Sequence, residues 1–371
     1  MEHALLPPSS ASRWVPCPGS VTLEAMFPEN DADKEKAAEG DMAHLVCHTM
    51  LAGKPLPDGA TDEMVEGAEM YCEDIETVVK ASGPGVRPNI EYRLDKTNRM
   101  LFDPNNWGTP DCTVNAIPHN KFYAWDYKFG HRYVDVFENL QLINYTILSL
   151  CNDLSGKIPE GIECHLRIVQ PRSYHPDGPI REWVVMSDDL WSYRTVLAES
   201  GKIALAPNPP CKTNSECRDC RARHACPTLQ AAGYLAVEAS GKAIPFDMPV
   251  EAVGRELALM QKAAELLKAR IDGLENEVLG NIKRGVPVTG WMTKQGTGRK
   301  KWDKPLEEIV ALGQMMGVDV SKPDAITPTQ AIKAGIPAAV VDSYSTVPLG
   351  EVKLVRDNGA QARKVFQGPA K

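Results

Sequence analysis

Residues 108–145 read GTPDCTVNAIPHNKFYAWDYKFGHRYVDVFENLQLINY, and three signals follow one another in them. Gly108-Thr109-Pro110-Asp111 is an acidic turn. Phe122-Tyr123-Ala124-Trp125-Asp126-Tyr127-Lys128-Phe129 is dense in aromatic residues, ends at Gly130 and reads as a buried strand. Alternate side chains of a strand share a face, so Asp126 and Lys128 point the same way. Gln141 and Tyr145 stand at helical i, i+4 spacing, with Leu140, Ile143, Ile147 and Leu148 as apolar positions beside them. A core strand tolerates two charges when they are paired or bound to a metal.

Upstream, Ala37 to Val46 begins a helix that runs toward Leu51 and breaks at Gly53 and Pro55, and it carries His44 four residues after Gly40. A single histidine on a helix face is by itself unremarkable; Glu39 and His48 are neighbours at a spacing that suits partners of a ligand. Residues 61–81 are predicted helical, with Met64, Ala68, Tyr71, Ile75 and Val78 on the core side. Ile90 to Leu94 alternates as a strand containing Glu91. Downstream, Glu163 to Gln170 and Ile180 to Val185 read as the two strands of a hairpin. Helices and strands in this order make the fold class α/β, a mixed sheet flanked by helices.

Asp111, the Asp126-Tyr127-Lys128 triplet, Gln141-x-x-x-Tyr145 and Gly40-x-x-x-His44 together resemble, in order and rough spacing, the RecB-like branch of the PD-(D/E)XK nuclease superfamily. That resemblance covers residues from about Ser9 to Pro227. It implies metal-dependent hydrolysis of DNA, exonuclease action in the first place, in phage-type recombination, repair or replication. His44, Asp111, Asp126 and the Tyr127 carbonyl would hold Mg²⁺ or Mn²⁺, Lys128 would steady charge, and Gln141 and Tyr145 would contact the substrate backbone. Glu91 falls where such nucleases often place an acid. The alternative is a nuclease-like fold kept as a DNA-binding or assembly module.

Four more thiols, Cys211, Cys217, Cys220 and Cys226, lie in one short stretch, and Cys17 stands between Pro16 and Pro18 far upstream. Two sets of four ligands are open. The local four could bind zinc, or Cys217, Cys220 and Cys226 could join Cys17. The second set is similar to the iron–sulfur nucleases of the AddB and CRISPR-associated exonuclease type, which implies a structural [4Fe-4S] cluster with Cys211 left free.

The 371 residues, of which 10 are cysteines, carry a formal net charge of −8, which argues against indiscriminate adhesion to nucleic acid. No signal peptide or membrane span is expected, so the protein is read as cytoplasmic and its cysteines as ligands before disulfides. Residues 1–232 are predicted to form the nuclease-like domain, 233–253 a linker, and 254–371 a smaller α+β region. In that region Leu257, Met260, Ala264, Leu267, Ile271, Leu274 and Val278 follow heptad spacing, which suits either packing within the domain or a homo-oligomer. Residues 288–302 are read as a hairpin turning at Gly296-Thr297-Gly298, with Trp291, Arg299, Lys300 and Lys301 as candidate contacts to single-stranded DNA. Thr327-Pro328 should cap a short helix, and the tail from Arg356 should fray.

Overall fold

A computed structural model describes residues 4–27, 31–94, 103–153, 158–173, 177–241, 248–298, 300–322, 324–325, 327–346 and 349–356. The chain divides into two compact units, Met1–Leu274 and Glu275–Lys371.

The first unit is α/β. In chain order it contains α1 (Ala11–Trp14), α2 (Ser20–Glu24), α3 (Asp31–Leu51), α4 (Asp62–Ala81), β1 (Pro88–Ile90), β2 (Cys112–Ala116), β3 (Lys121–Tyr127), α5 (Leu140–Asp153), β4 (Glu163–Val169), β5 (Ile180–Met186), α6 (Leu190–Ala204), α7 (Pro227–Ser240) and the beginning of α8 (Val250–Lys283). The five strands form one sheet in the order β1-β2-β3-β4-β5. Only the central β3–β4 pair is parallel. A parallel pair needs a crossover, and α5 supplies it. On one face of the sheet, Trp14 of α1, Leu142, Ile143 and Ile147 of α5, and Leu190 and Leu197 of α6 pack on Phe122, Ala124, Leu166 and Ile168. On the other, Val46 of α3 and Ala68, Tyr71, Ile75 and Val78 of α4 pack on Val114, Tyr123, Trp125 and Tyr127. Because β3 is covered on both faces, it reads as a continuous apolar run interrupted only by Asp126.

The predicted α4 and the β4–β5 hairpin are present, and the Thr61 side chain caps α4 by accepting from the Met64 amide. The strand expected over 90–94 is cut short. Glu91 adopts a left-handed backbone with φ 46°, although its N–H still donates in register to the Asp111 carbonyl at 3.1 Å. Pairing resumes only as a single bridge between Leu94 and Gly108. The linker expected over 233–253 is largely helical: α7 continues to Ser240 and α8 starts at Val250, while residues 242–247 lie outside the described set. The division between units falls inside α8, not ahead of it.

The heptad positions of α8 are not its packed face. Leu257, Met260, Ile271 and Leu274 are exposed, whereas Ala269 is buried. Gly273 lets the helix approach closely, since a Cβ there would sit 2.6 Å from Arg223 Cγ. Arg270 donates to the carbonyls of Arg223 and His224.

In the second unit, β6 (Trp291–Thr297), β7 (Lys301–Trp302), α9 (Leu306–Met315), β8 (Ser321–Lys322), β9 (Asp324–Ala325), α10 (Pro328–Lys333), α11 (Ala338–Ser343), β10 (Ser345–Thr346) and β11 (Leu349–Arg356) follow the end of α8. Ile309, Val320, Ala331, Ile336 and Val341 form its core, with Trp302 half-buried against them. The hairpin expected over 288–302 does not form. β6 pairs with β11 and β7 with β10, so the two segments join different ladders. Thr327 caps α10 in a capping box with Gln330, as its sequence suggests. The tail beyond Arg356, expected to fray, lies outside the described residues.

A polar network ties α4 to the sheet. Asp74 accepts from Trp125 Nε1 at 2.7 Å and from Arg167 Nη1 at 2.8 Å, and Arg167 Nε donates to Glu182 Oε1 at 2.7 Å. The hydrogen bond from His165, reinforced by Arg167, holds the Glu182 carboxyl down at about 2. A depressed folded-state value means that this stabilisation is present above the unfolded value of 4.5 and is lost as pH falls toward about 2. Urea unfolding of Glu182→Gln should therefore show a deficit against the wild type at neutral pH that closes as pH drops through that window. A pH-independent deficit would contradict the assignment.

Candidate metal centre

The carboxylates and the lysine meet at the C-terminal end of β3. Asp111 leads into β2, and its Oδ2 accepts the Tyr127 backbone N–H at 2.7 Å, which fixes it against β3. Asp126 is 2% exposed, and its Oδ1 accepts from Gln141 Nε2 at 2.8 Å. The other face of the same amide, Gln141 Oε1, accepts from Lys128 Nζ at 3.1 Å. Gln141 thus holds Asp126 and Lys128 in register from the first turn of α5, a role its i, i+4 relation to Tyr145 does not reveal. Lys128 Nζ lies 3.0 Å from Asp126 Oδ2, but this buried oxygen has no partner in hydrogen-bond geometry.

His44 reaches the same point from α3, with Nδ1 3.4 Å from Asp111 Oδ1. Tyr127 supports it from below, ring edge to ring face at 5.5 Å. Tyr145 is buried beside the cleft, hydrogen-bonded to the Thr109 backbone. Ser9, Asp41, His44, Leu45, His48, Glu91, Asp111, Asp126, Lys128, Gln141 and Tyr145 line one open cleft. Ser9 and Asp41 have no role in the sequence reading. Asp41 precedes His44 by one helical turn, which is the only signal that could have found it.

Burial pushes the Asp126 carboxyl up and the neighbouring Asp111 adds to that, against the pull of Lys128. Burial works the same way on Asp111, but His44 and the Tyr127 N–H outweigh it and hold Asp111 low. Lys128 and His44 would be lowered by burial, yet the two carboxylates raise both. Two carboxylates and an imidazole converging on one cleft form a donor set that fits a divalent cation.

The second cluster joins the two ends of the first unit. Cys17 follows α1, and its Sγ accepts the Lys212 N–H at 3.3 Å, while Cys217 Sγ accepts the Asn214 N–H at 3.4 Å. Cys211 lies against both Cys17 and Cys226, and Cys217 has the same two neighbours. Gly19 makes this closeness possible, since a Cβ there would stand 2.6 Å from Cys211 Sγ. The sequence left Cys211 either a zinc ligand or a free thiol; its sulfur lies beside Cys17, because the Gly19 N–H donates to the Pro210 carbonyl and draws that loop onto the turn after Cys17. Cys220 faces Glu24, which Arg13 holds at 2.8 Å. Cys17, Cys211, Cys217, Cys220 and Cys226 line one enclosed cavity.

The candidate DNA contacts of the second unit are not gathered in the way expected. Trp291 opens β6, Lys301 lies in β7, and Lys300 is ion-paired with Asp342. Arg299 lies outside the described residues.

Residues 3–335 match the model of a family described as "Protein of unknown function (DUF2800)". The chain belongs to the DUF2800 family. That match takes in all of the cleft residues and all five clustered cysteines of this DUF2800 protein, and it extends into the second unit. Among the described residues, no helix is long and apolar enough to cross a membrane.

Proposed function

We propose that this DUF2800 protein is a metal-dependent DNA nuclease of the RecB-like PD-(D/E)XK kind. The single observation that carries the reading is the convergence of buried Asp126, its ion-pair partner Lys128, Asp111 and His44 at the end of β3. His44, Asp111 and Asp126, with the Tyr127 carbonyl, would hold the cation. When bound, Mg²⁺ or Mn²⁺ supplies Lewis acidity at the scissile phosphate and acidifies water in contact with it. Lys128, kept charged by both carboxylates, stabilises negative charge that develops on the attacking oxygen and the phosphate. Gln141 holds Lys128 and Asp126 at fixed separation, so neither has to reorganise during the reaction. The open cleft suits an extended polymer such as a DNA strand end more than a small enclosed ligand.

The cysteine cluster is read as a structural metal centre, an iron–sulfur cluster ahead of zinc. Burial together with neighbouring thiols pushes Cys211 up to about 12, so the group needs positive charge before its thiolates form. Cys17, Cys217, Cys220 and Cys226 match the motif of the iron–sulfur nucleases, and Cys211 is a fifth sulfur at the same place.

In Mn²⁺, the wild-type protein should degrade linear single- or double-stranded DNA, and Asp126→Ala or Lys128→Ala should lower the rate by about 10²–10³-fold or more without loss of fold. Unchanged activity in either variant would remove the site assignment. A wild type that binds DNA without cleaving it would favour a binding or assembly module. Anaerobically purified protein should contain iron and sulfide, both lost in Cys17→Ser, and comparison of Cys211→Ser with Cys220→Ser identifies the fourth ligand. One zinc per chain, retained in Cys17→Ser, would overturn the cluster reading.

A further inference from the structure

The two ladders of the second unit share one register. Trp302 opposite Ser345 and Lys301 opposite Thr346 lead to Thr297 opposite Leu349. Past an irregularity between Leu349 and Val352 the pairing runs on from Gln295 opposite Val352 to Trp291 opposite Arg356. β6 with β7, and β10 with β11, are therefore the two sides of one long antiparallel ribbon. Its β7–β10 end is anchored, since Trp302 packs on the core of the unit and Ser345 is buried. Among the described residues, none of β6 is buried or belongs to that core. A two-stranded ribbon is marginal in water by itself. The charges point to what would cover it. The ladder sets Lys294 directly opposite Lys353, and like charges at opposed positions destabilise a free ribbon. Lys294 and Lys301 are exposed and, among the described residues, have no ion-pair partner, unlike Lys300. Residues 275–371 hold 14 Lys and Arg against 10 Asp and Glu; the whole chain carries −8, so residues 1–274 carry −12.

We propose that this ribbon is a docking surface for double-stranded DNA, with Lys294 and Lys301 on phosphates. A two-stranded β-ribbon fits the major groove of B-form DNA, which is about 12 Å wide and walled by phosphates on both sides. A duplex suits the ribbon better than a single strand does. Grooves for single strands stack successive bases on several aromatic rings. The ribbon has two rings in all, Trp291 and Trp302, and Trp302 is half-buried against the core. The net charge of the first unit repels a polyanion and that of the second attracts one, so the ribbon supplies affinity that residues 1–274 lack. Its role does not depend on whether the cleft at β3 cleaves DNA.

The test is fluorescence anisotropy of a labelled DNA duplex of mixed sequence, titrated with full-length protein at a series of salt concentrations, in EDTA so that nothing is cleaved. Wild type should bind this duplex more tightly than either separated strand. It should also bind it more tightly than an RNA duplex of the same sequence, whose major groove is too deep and narrow to enter. Lys294→Ala combined with Lys301→Ala should lower the slope of log affinity against log salt by about 2, one for each phosphate contact. Lys202→Ala combined with Lys262→Ala, which removes two exposed charges from α6 and α8 in the first unit, should leave the slope unchanged. Thermal unfolding establishes that the variants are folded, and glutamine replaces alanine at both positions if they are not. A wild type that does not bind the duplex, an unchanged slope in the ribbon variant, an equal drop in the first-unit variant, or tighter binding of single strands or RNA would overturn the proposal. A protein that cleaves DNA in Mn²⁺ while the ribbon variant keeps its slope removes the ribbon surface alone. One that binds through the ribbon and cleaves nothing removes the nuclease reading alone.

Discussion

Two carboxylates buried at the end of a central strand are the constraint on which the first unit depends. Taking Asp111 and Asp126 out of water beside each other is unfavourable unless positive charge and donors are delivered to them. Several elements contribute to that delivery. β3 presents Lys128 and the Tyr127 N–H, α5 presents the Gln141 amide, and α3 brings His44 over the strand end. Asp126 Oδ2 is left with Lys128 alone, an ion pair at 3.0 Å. Under the function proposed above a cation would complete the site, and the surrounding polar contacts would orient its ligands.

The cysteine cluster answers a different problem. The polypeptide passes from Cys17 through the whole sheet before it reaches Cys211, so the two ends of the unit have no continuous secondary structure to hold them together. The Gly19–Pro210 and Lys212–Cys17 contacts bring them into register. A metal centre shared between them would close a long loop, by analogy with the way a long-loop disulfide restricts the unfolded chain. Arg13, Glu24 and the Arg221 N–H add a polar clasp beside it. The cleft at the end of β3 and the cysteine cluster are thus separate features of one scaffold.

What the sequence reveals depends on how local the determining physics is. The core face of α4, the β4–β5 hairpin and the Thr327 cap are written in periodicities and end signals a few residues long, and each forms as expected. Asp126 and Lys128 share a face for the same local reason. The partners of β6 and β7 are set by chain far away in sequence, which is why a nearby Gly-Thr-Gly suggested a hairpin that does not exist. α8 carries a heptad pattern, yet its packed face is chosen by Gly273, Ala269 and Arg270, small or donor-bearing positions that a search for apolar spacing passes over. The same limit applies to the backbone hydrogen bond of Gly19 that brings Cys211 beside Cys17, and to the left-handed backbone of Glu91, neither of which has a sequence signature.

The central claim is that the cleft at the end of β3 binds a divalent cation through Asp111 and Asp126. Anomalous diffraction at the manganese edge, from crystals grown with Mn²⁺, addresses it without reference to any substrate. The claim requires an anomalous peak about 2–2.5 Å from a carboxylate oxygen of each of the two residues. Peaks confined to other parts of the molecule, with Asp126 still held only by Lys128 and Gln141, would contradict it.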